Sequence, residues 1–181
     1  MKKHIVVGIT GSIAAYKACD IIRGLRGAGC DTTVIMTKES QEFVTPLLMS
    51  QISGNQAYTD MFTPPKSWDV EHVSLAQSAK LILIAPATAN IIAKLAAGIC
   101  DDLLTCAVIA SKAKVLIAPA MNSVMYEHPA TVENIKKLKS FGYKFIGPVK
   151  GRLACGDEGM GHIAGVDEII KEAKKLLNEA A

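Results

Sequence analysis

The sequence predicts a doubly wound α/β protein built on a parallel sheet, and three observations carry that expectation. Short runs of Ile, Val and Leu without polar alternation recur along the chain, as central strands covered on both faces require. Between them lie segments whose apolar residues repeat with helical spacing. Small, polar and proline residues gather directly after the strands, where a doubly wound sheet carries its ligand crevice.

HIVVGI (4–9) is the first such run and reads as a central strand, with TGS following at once. Residues 13–28 show helical spacing through Ile13, Tyr16, Ile21, Ile22 and Leu25, and Gly29 reads as the stop. TTVIM (32–36) gives the second strand, and a helix is expected within 40–52. LILIAPA (81–87) is the third strand, followed by a short helix over 90–97 and another over 101–111. VLIAPA (115–120) repeats the pattern of aliphatic run and Pro-Ala. TVENIKKLKSFG (131–142) reads as an amphipathic helix, YKFIG (143–147) as the last short strand, and 166–178 as a charged amphipathic helix.

This alternation implies about five parallel strands in a Rossmann-like, flavodoxin-like three-layer sandwich. Right-handed crossovers place the loops GITGSIAA, MTKES, APATAN and APAMNSVM on one edge of the sheet. Residues 1–181 read as a single domain with two irregular segments. Residues 60–72 are proline-rich, hold the only Trp, and read as a lid or interface insertion. Residues 151–164, GRLACGDEGMGHIA, hold four glycines and read as a mobile clamp loop.

Composition narrows the function classes. Half of the residues are hydrophobic, enough for a substantial core. Twenty basic against 17 acidic residues give a net charge of +3, too balanced for a nucleic-acid surface. Cys19, Cys30, Cys100, Cys106 and Cys155 are odd in number and lack metal-ligand spacing, which fits a reducing cytoplasm, no metal and no disulfide framework. The start of the chain lacks a signal-peptide core. The longest apolar region is interrupted by Pro86 and Lys94 and does not read as a membrane span.

Gly8 and Gly11 permit a tight turn and close approach of a ligand, and Ser12 opens the following helix, an arrangement that suits phosphate or a plain structural turn. Thr37 and Ser40 stand after the second strand, where a dinucleotide-binding domain commonly places an acidic residue for ribose. Their hydroxyls favour a mononucleotide phosphate over NAD. Thr88, Asn90 and Asn122 can meet the polar edge of a flat ring, with Met121 and Met125 either against its face or in the core. Asn122 can orient a carboxylate or cap a helix. His72 reads as an acid or base or as a surface histidine, and His162 as a phosphate or substrate contact or as solvent-exposed. Cys155 lies in the glycine-rich segment, and the adjacent Asp157 and Glu158 oppose its thiolate, which favours a proton donor over a nucleophile.

Six stretches in order then carry a family resemblance: GSIAAYK (11–17), EHVSLA (71–76), APATAN (85–90), AAGICDDLL (96–104), PAMNSVMY (119–126) and ACGDEGMG (154–161). Over residues 3–178 the sequence resembles the homo-oligomeric flavin-containing cysteine decarboxylases. The resemblance implies FMN as cofactor, with Gly11, Ser12, Thr37 and Ser40 at its phosphate and Ala87, Thr88 and Met121 at its ring. It implies His72 as the catalytic histidine, Asn122 as the holder of the substrate carboxylate and Cys155 as a late proton donor. Asn122, Met125, Ala154, Gly156 and His162 are the implied substrate contacts. The implied reaction is decarboxylation of 4'-phosphopantothenoylcysteine to 4'-phosphopantetheine and CO2 in coenzyme A biosynthesis. It would run through thiol oxidation to a thioaldehyde, CO2 loss and re-reduction of the enethiol.

A homotrimer, or a dodecamer of trimers, is implied, with a separate phosphopantothenate–cysteine ligase as supplier of the substrate. The loop departs from the family pattern at Met160, often proline, and at His162, in place of an arginine; this bears on affinity rather than on reaction class. The related alternatives are an oxidative decarboxylase of peptide C-terminal cysteines, a catalytically silent FMN-binding regulatory subunit and a flavin prenyltransferase. A nucleotide-binding module without flavin is the alternative from another class.

Overall fold

The computed structural model describes residues 3–61, 77–152, 156 and 158–179. Six strands form its central sheet: β1 (His4–Ile9), β2 (Asp31–Met36), β3 (Ala57–Tyr58), β4 (Leu81–Ala87), β5 (Lys114–Pro119) and β6 (Lys144–Phe145). Their order is β3-β2-β1-β4-β5-β6, and every pairing is parallel. Around β1 the register sets Val7 against Val34 on one side and Leu83 on the other.

Because side chains alternate across a strand, the apolar runs supply two cores at once. Ile5, Val7 and Ile9 face one cluster with α1 (Ala18–Gly27) and α7 (Val166–Asn178), through Ile21, Ile22, Leu25, Ile169 and Leu176. Val6, Ile82 and Ile84 face the other, with α3 (Ala89–Ala97), α4 (Leu103–Ile109) and α6 (Pro129–Ser140). The result is the doubly wound three-layer α/β fold that the sequence predicts. No helix among the described residues is long and apolar enough to cross a membrane.

The strands at 4–9, 32–36, 81–87, 115–120 and 143–147 and the helices at 90–97, 131–142 and 166–178 fall where the sequence places them, within two residues. Other elements differ, each for a local reason. The helix expected over 13–28 opens as a 3-10 helix over Ile13–Lys17 and becomes α-helical only at Ala18. At three residues per turn Ile13 and Tyr16 share one ridge, and both are 58% exposed rather than in the core. The helix expected within 40–52 splits into a 3-10 turn (Lys38–Glu42) and α2 (Pro46–Ser53). Pro46 cannot sit inside a helix, and Thr45 caps the new start by accepting from Leu48 N. The helix expected over 101–111 begins at Leu103, because the Asp102 carboxylate accepts from Thr105 N and makes Asp102 the cap.

The strand at β6 is not the last. β7 (Val149–Arg152) and β8 (Glu158–His162) pair antiparallel, so the segment expected as a loop over 151–164 is a two-stranded ribbon at 151–152 and 158–162. Gly151 lies opposite Gly159 in it. Glycine weakens a strand signal because it brings entropy and no packing side chain, which is why the pattern did not show. β3, two residues long, and α5 (Ser123–Glu127) were also not expected. Of the insertion expected at 60–72, only Asp60 and Met61 are among the described residues.

Candidate active site

The strand order reverses between β1 and β4, so the loops leaving these two strands diverge and open a crevice. Thr10, at the end of β1, ties the crevice together. Its hydroxyl is 1% exposed, donates to the Pro86 carbonyl at 2.8 Å and accepts from the Thr88 amide at 3.1 Å. Thr88 then caps α3, its hydroxyl accepting from Ile91 N at 3.3 Å. The Ala87 carbonyl accepts from Ala120 N at 3.0 Å, which joins the loops after β4 and β5.

Gly11 is required at the next position. A Cβ there would sit 2.5 Å from Glu39 Cβ, so only glycine lets the first loop lie against the turn after β2. The two loops enclose a cavity of about 240 Å³ whose walls include Thr10, Gly11, Thr37, Thr88 and Met125. A second cavity of about 410 Å³ shares Thr37 and Asp102 with it and extends to Met61 and Asp101. Together they reach the size range of small-molecule and cofactor sites.

Thr37 is the most informative side chain here. Its hydroxyl oxygen is buried yet has no hydrogen-bond partner among the described residues. A buried hydroxyl left unpaired is costly, and the natural partner is a ligand atom in the space that Thr37 borders. Among the described residues, the only charged side chains lining the smaller cavity are the Glu39 and Asp102 carboxylates. An anion bound there is therefore held by hydroxyls and backbone amides. Asp102 is partly neutralised: Lys94 lies 3.1 Å from it and 2.8 Å from Asp101. The hydrogen bond to Asp101 holds Lys94 above the usual lysine range, and the same bond holds the exposed Asp101 carboxyl below its ordinary value.

These facts predict opposite effects for Thr37→Val. The ligand-free protein should melt at the same temperature or higher, because an unpaired buried hydroxyl is replaced by a methyl group of the same shape. Binding of the flavin that the sequence resemblance implies, read by quenching of its fluorescence, should weaken about tenfold, the value of one hydrogen bond to a charged group. Unchanged flavin affinity would remove Thr37 from the site.

The structure gathers some of the sequence-predicted residues and sets others apart. Gly11, Thr37, Thr88 and Met125 line the cavity together. Ser12 stands beside it, its hydroxyl capping the 3-10 helix through Ala14 N. Ser40 does not line either cavity: it is fully buried, and its hydroxyl donates to the Thr37 carbonyl at 2.7 Å. It braces Thr37 instead. Ala87 is fully buried in β4 and contributes backbone only. Met121 packs against the second core cluster. Asn122 caps α5, its Oδ1 accepting from Val124 N at 2.9 Å. Met125 is half exposed at the cavity wall.

The ribbon is fastened to this region by backbone. Met121 N donates to the Gly161 carbonyl at 3.1 Å, and a Cβ on Gly161 would overlap the Met121 carbonyl. β8 thus lies directly on the loop that carries Asn122. His162 follows Gly161, half-buried, with Nδ1 2.9 Å from the Ile163 carbonyl. Gly156 is exposed with φ +96°, a left-handed turn residue. His72, Ala154 and Cys155 lie outside the described residues.

Thr10, Glu39 and Asp102 are wall residues that reasoning on the sequence did not single out. Thr10 left a readable signal, a hydroxyl between two glycines at the end of the first strand. Glu39 left none.

Comparison with known proteins agrees with this geometry. A model of the family described as Flavoprotein matches residues 1–178. A Streptococcus mutans protein named as a probable phosphopantothenoylcysteine decarboxylase is 41% identical, covering 98% of this chain and 100% of its own length. The coenzyme A biosynthesis bifunctional protein CoaBC of Borreliella burgdorferi is 46% identical over 98% of this chain. The chain spans 44% of that longer relative. Among solved structures, a mutant PPC decarboxylase complexed with pantothenoylaminoethenethiol superposes with a TM-score of 0.90 at 30% identity, covering 98% of this chain and all of that one. The FMN-dependent cysteine decarboxylase SpaF gives 0.85 at 30% identity, with 98% and 97% coverage.

Proposed function

The chain belongs to the flavoprotein family, and from that premise we propose that it is an FMN-dependent decarboxylase converting 4'-phosphopantothenoylcysteine to 4'-phosphopantetheine and CO2 in coenzyme A biosynthesis. The observation that carries this reading is the buried, unpartnered Thr37 hydroxyl at a glycine-turned cavity on the switch point. Similarity over the whole length of the streptococcal relative supports the substrate.

The residues present fit FMN. Thr37 Oγ1 would donate to its phosphate, the backbone around Gly11 and Ser12 would lie against it, and Thr88 and Met121 would flank the ring. Bound flavin supplies a two-electron oxidant for the thiol-bearing carbon of the substrate, which gives departing CO2 the electron sink that an N-acylated cysteine lacks. Asn122 Oδ1 accepts from Val124 N at the helix cap, and its amide NH2 is the donor type that suits the substrate carboxylate. His72 takes the proton from the cysteinyl thiol, and Cys155 returns a proton late in the reaction. Ala154, Gly156 and His162 contact the phosphorylated arm, and its binding excludes water.

A homo-oligomer, a trimer or a dodecamer of trimers, completes the reading. Ile13, Tyr16, Leu47 and Val124 are large apolar side chains left between 58% and 72% exposed, as an assembly surface requires. The protein acts in the cytoplasm, and a phosphopantothenate–cysteine ligase supplies its substrate.

Anaerobic incubation of the FMN-loaded protein with phosphopantothenoylcysteine, followed by mass spectrometry, tests the assignment. Wild type should yield phosphopantetheine, and Cys155→Ser should stall at the unreduced enethiol. Turnover only of a peptide ending in cysteine would move the assignment to the peptide decarboxylases, and no turnover by folded, flavin-loaded protein would leave a silent flavoprotein.

A further inference from the structure

Two cysteines outside the decarboxylation chemistry stand at the rim of the site. Cys100 is exposed in the turn before α4, and Cys106 is partly buried in the second turn of that helix. The Cys106 thiol folds back to lie 3.4 Å from the Cys100 carbonyl and 3.5 Å from the Met61 sulfur. Between the two cysteines sit Asp101 and Asp102. Asp102 lines both cavities and caps α4, while Met61 and Asp101 line the larger one. Every neighbour of the Cys106 thiol named here thus belongs to, or adjoins, the cavity wall.

We propose that Cys100 and Cys106 form a reversible redox-active dithiol that takes a low-molecular-weight disulfide as its oxidant. The Cys100 thiolate attacks one sulfur of the small disulfide; that S–S bond breaks, and one small thiolate leaves. The Cys106 thiolate then attacks the Cys100 sulfur of the mixed disulfide and expels the second small thiolate. Two protein thiols are oxidised, one small disulfide is reduced to two thiols, and the electrons balance.

The order follows from the surroundings. Cys100 is accessible to the oxidant. Burial, together with the neighbouring Cys100 thiol, pushes the Cys106 thiol above its ordinary value, which disfavours it as the first attacker; its proximity to Cys100 then makes the second step intramolecular. Transient disulfides of redox-sensing type are the kind that reducing compartments allow.

Closing the bond has a consequence for the site. A disulfide requires the two Cβ atoms to come within about 3.5–4.5 Å. The bond closes residues 100–106 into a ring that contains and constrains the Asp102 cap, whose carboxylate stands in the shared wall of the two cavities. The oxidised protein should therefore bind flavin about fivefold more weakly, the scale of losing one helix cap.

The test uses the full chain titrated with glutathione disulfide, then alkylated, digested and mapped by mass spectrometry, with flavin affinity measured in parallel by fluorescence. The expected result is a Cys100–Cys106 cross-linked peptide lacking two hydrogens, reversed by dithiothreitol, with the fall in flavin affinity absent from Cys100→Ser and Cys106→Ser. A stable glutathione adduct on Cys100 with Cys106 still alkylated would overturn the dithiol. An unchanged flavin affinity in the cross-linked protein, or the same loss in the serine variants, would overturn its coupling to the site. None of these readouts depends on which substrate the enzyme decarboxylates.

Discussion

Thr10→Val should lower the melting temperature by roughly 5–15 °C and weaken flavin binding about tenfold or more. The substitution keeps the shape of the side chain and removes one hydroxyl. That hydroxyl is 1% exposed and serves two backbone groups, donating to the Pro86 carbonyl and accepting from the Thr88 amide. Each buried polar group left without a partner costs about 1–3 kcal/mol. The loss falls on the link between β1 and the start of α3, so cavity geometry suffers along with stability. Differential scanning calorimetry and flavin titration check both parts. Thr10→Ser, which retains the hydroxyl, should restore most of each; failure of serine to do so would show that the methyl group, not the bridge, is what matters.

Asn122→Asp should leave the fold and flavin binding nearly unchanged while kcat/KM falls about 10²-fold or more. Aspartate caps a helix as well as asparagine does, so the bond from Val124 N survives. It lacks the amide NH2, however, and would place a second negative charge beside the substrate carboxylate in the proposed complex. A hydrogen bond to a charged group is worth about 1.5–3 kcal/mol, and like-charge repulsion adds to its loss. Steady-state kinetics with calorimetry on the same sample separates the two roles of this residue. Wild-type kinetics in the variant would reduce Asn122 to a cap.

The contrast between Thr37 and Ser40 shows how far a sequence carries such arguments. Both are hydroxyl residues after β2, and from the sequence both read as phosphate ligands. In the fold one hydroxyl is left unpaired on the cavity wall and the other is consumed by a main-chain carbonyl. Three residues of 3-10 winding decide which is which, and no residue type announces that winding. Ile13 and Tyr16 make the same point. Their spacing suits an α-helix and a buried face, but the 3-10 turn started by Ser12 carries them outward.

The apolar runs at 4–9, 81–87 and 115–120 by themselves determined a doubly wound parallel sheet. A strand covered on both faces must be aliphatic throughout, and that requirement is local and readable. The glycine of the first loop and the hydroxyls after the second strand likewise marked the edge where the site lies. The tertiary structure alone decided the Thr10 bridge, the orphaned Thr37 hydroxyl and the docking of Gly161 on the Met121 carbonyl. The Thr10 bridge joins residues 76 and 78 positions apart and the Gly161 contact residues 40 apart, and the space left beside Thr37 is likewise fixed only once the strands have taken their order. Composition and period record which face a residue prefers; they do not record which distant backbone atom will meet it there.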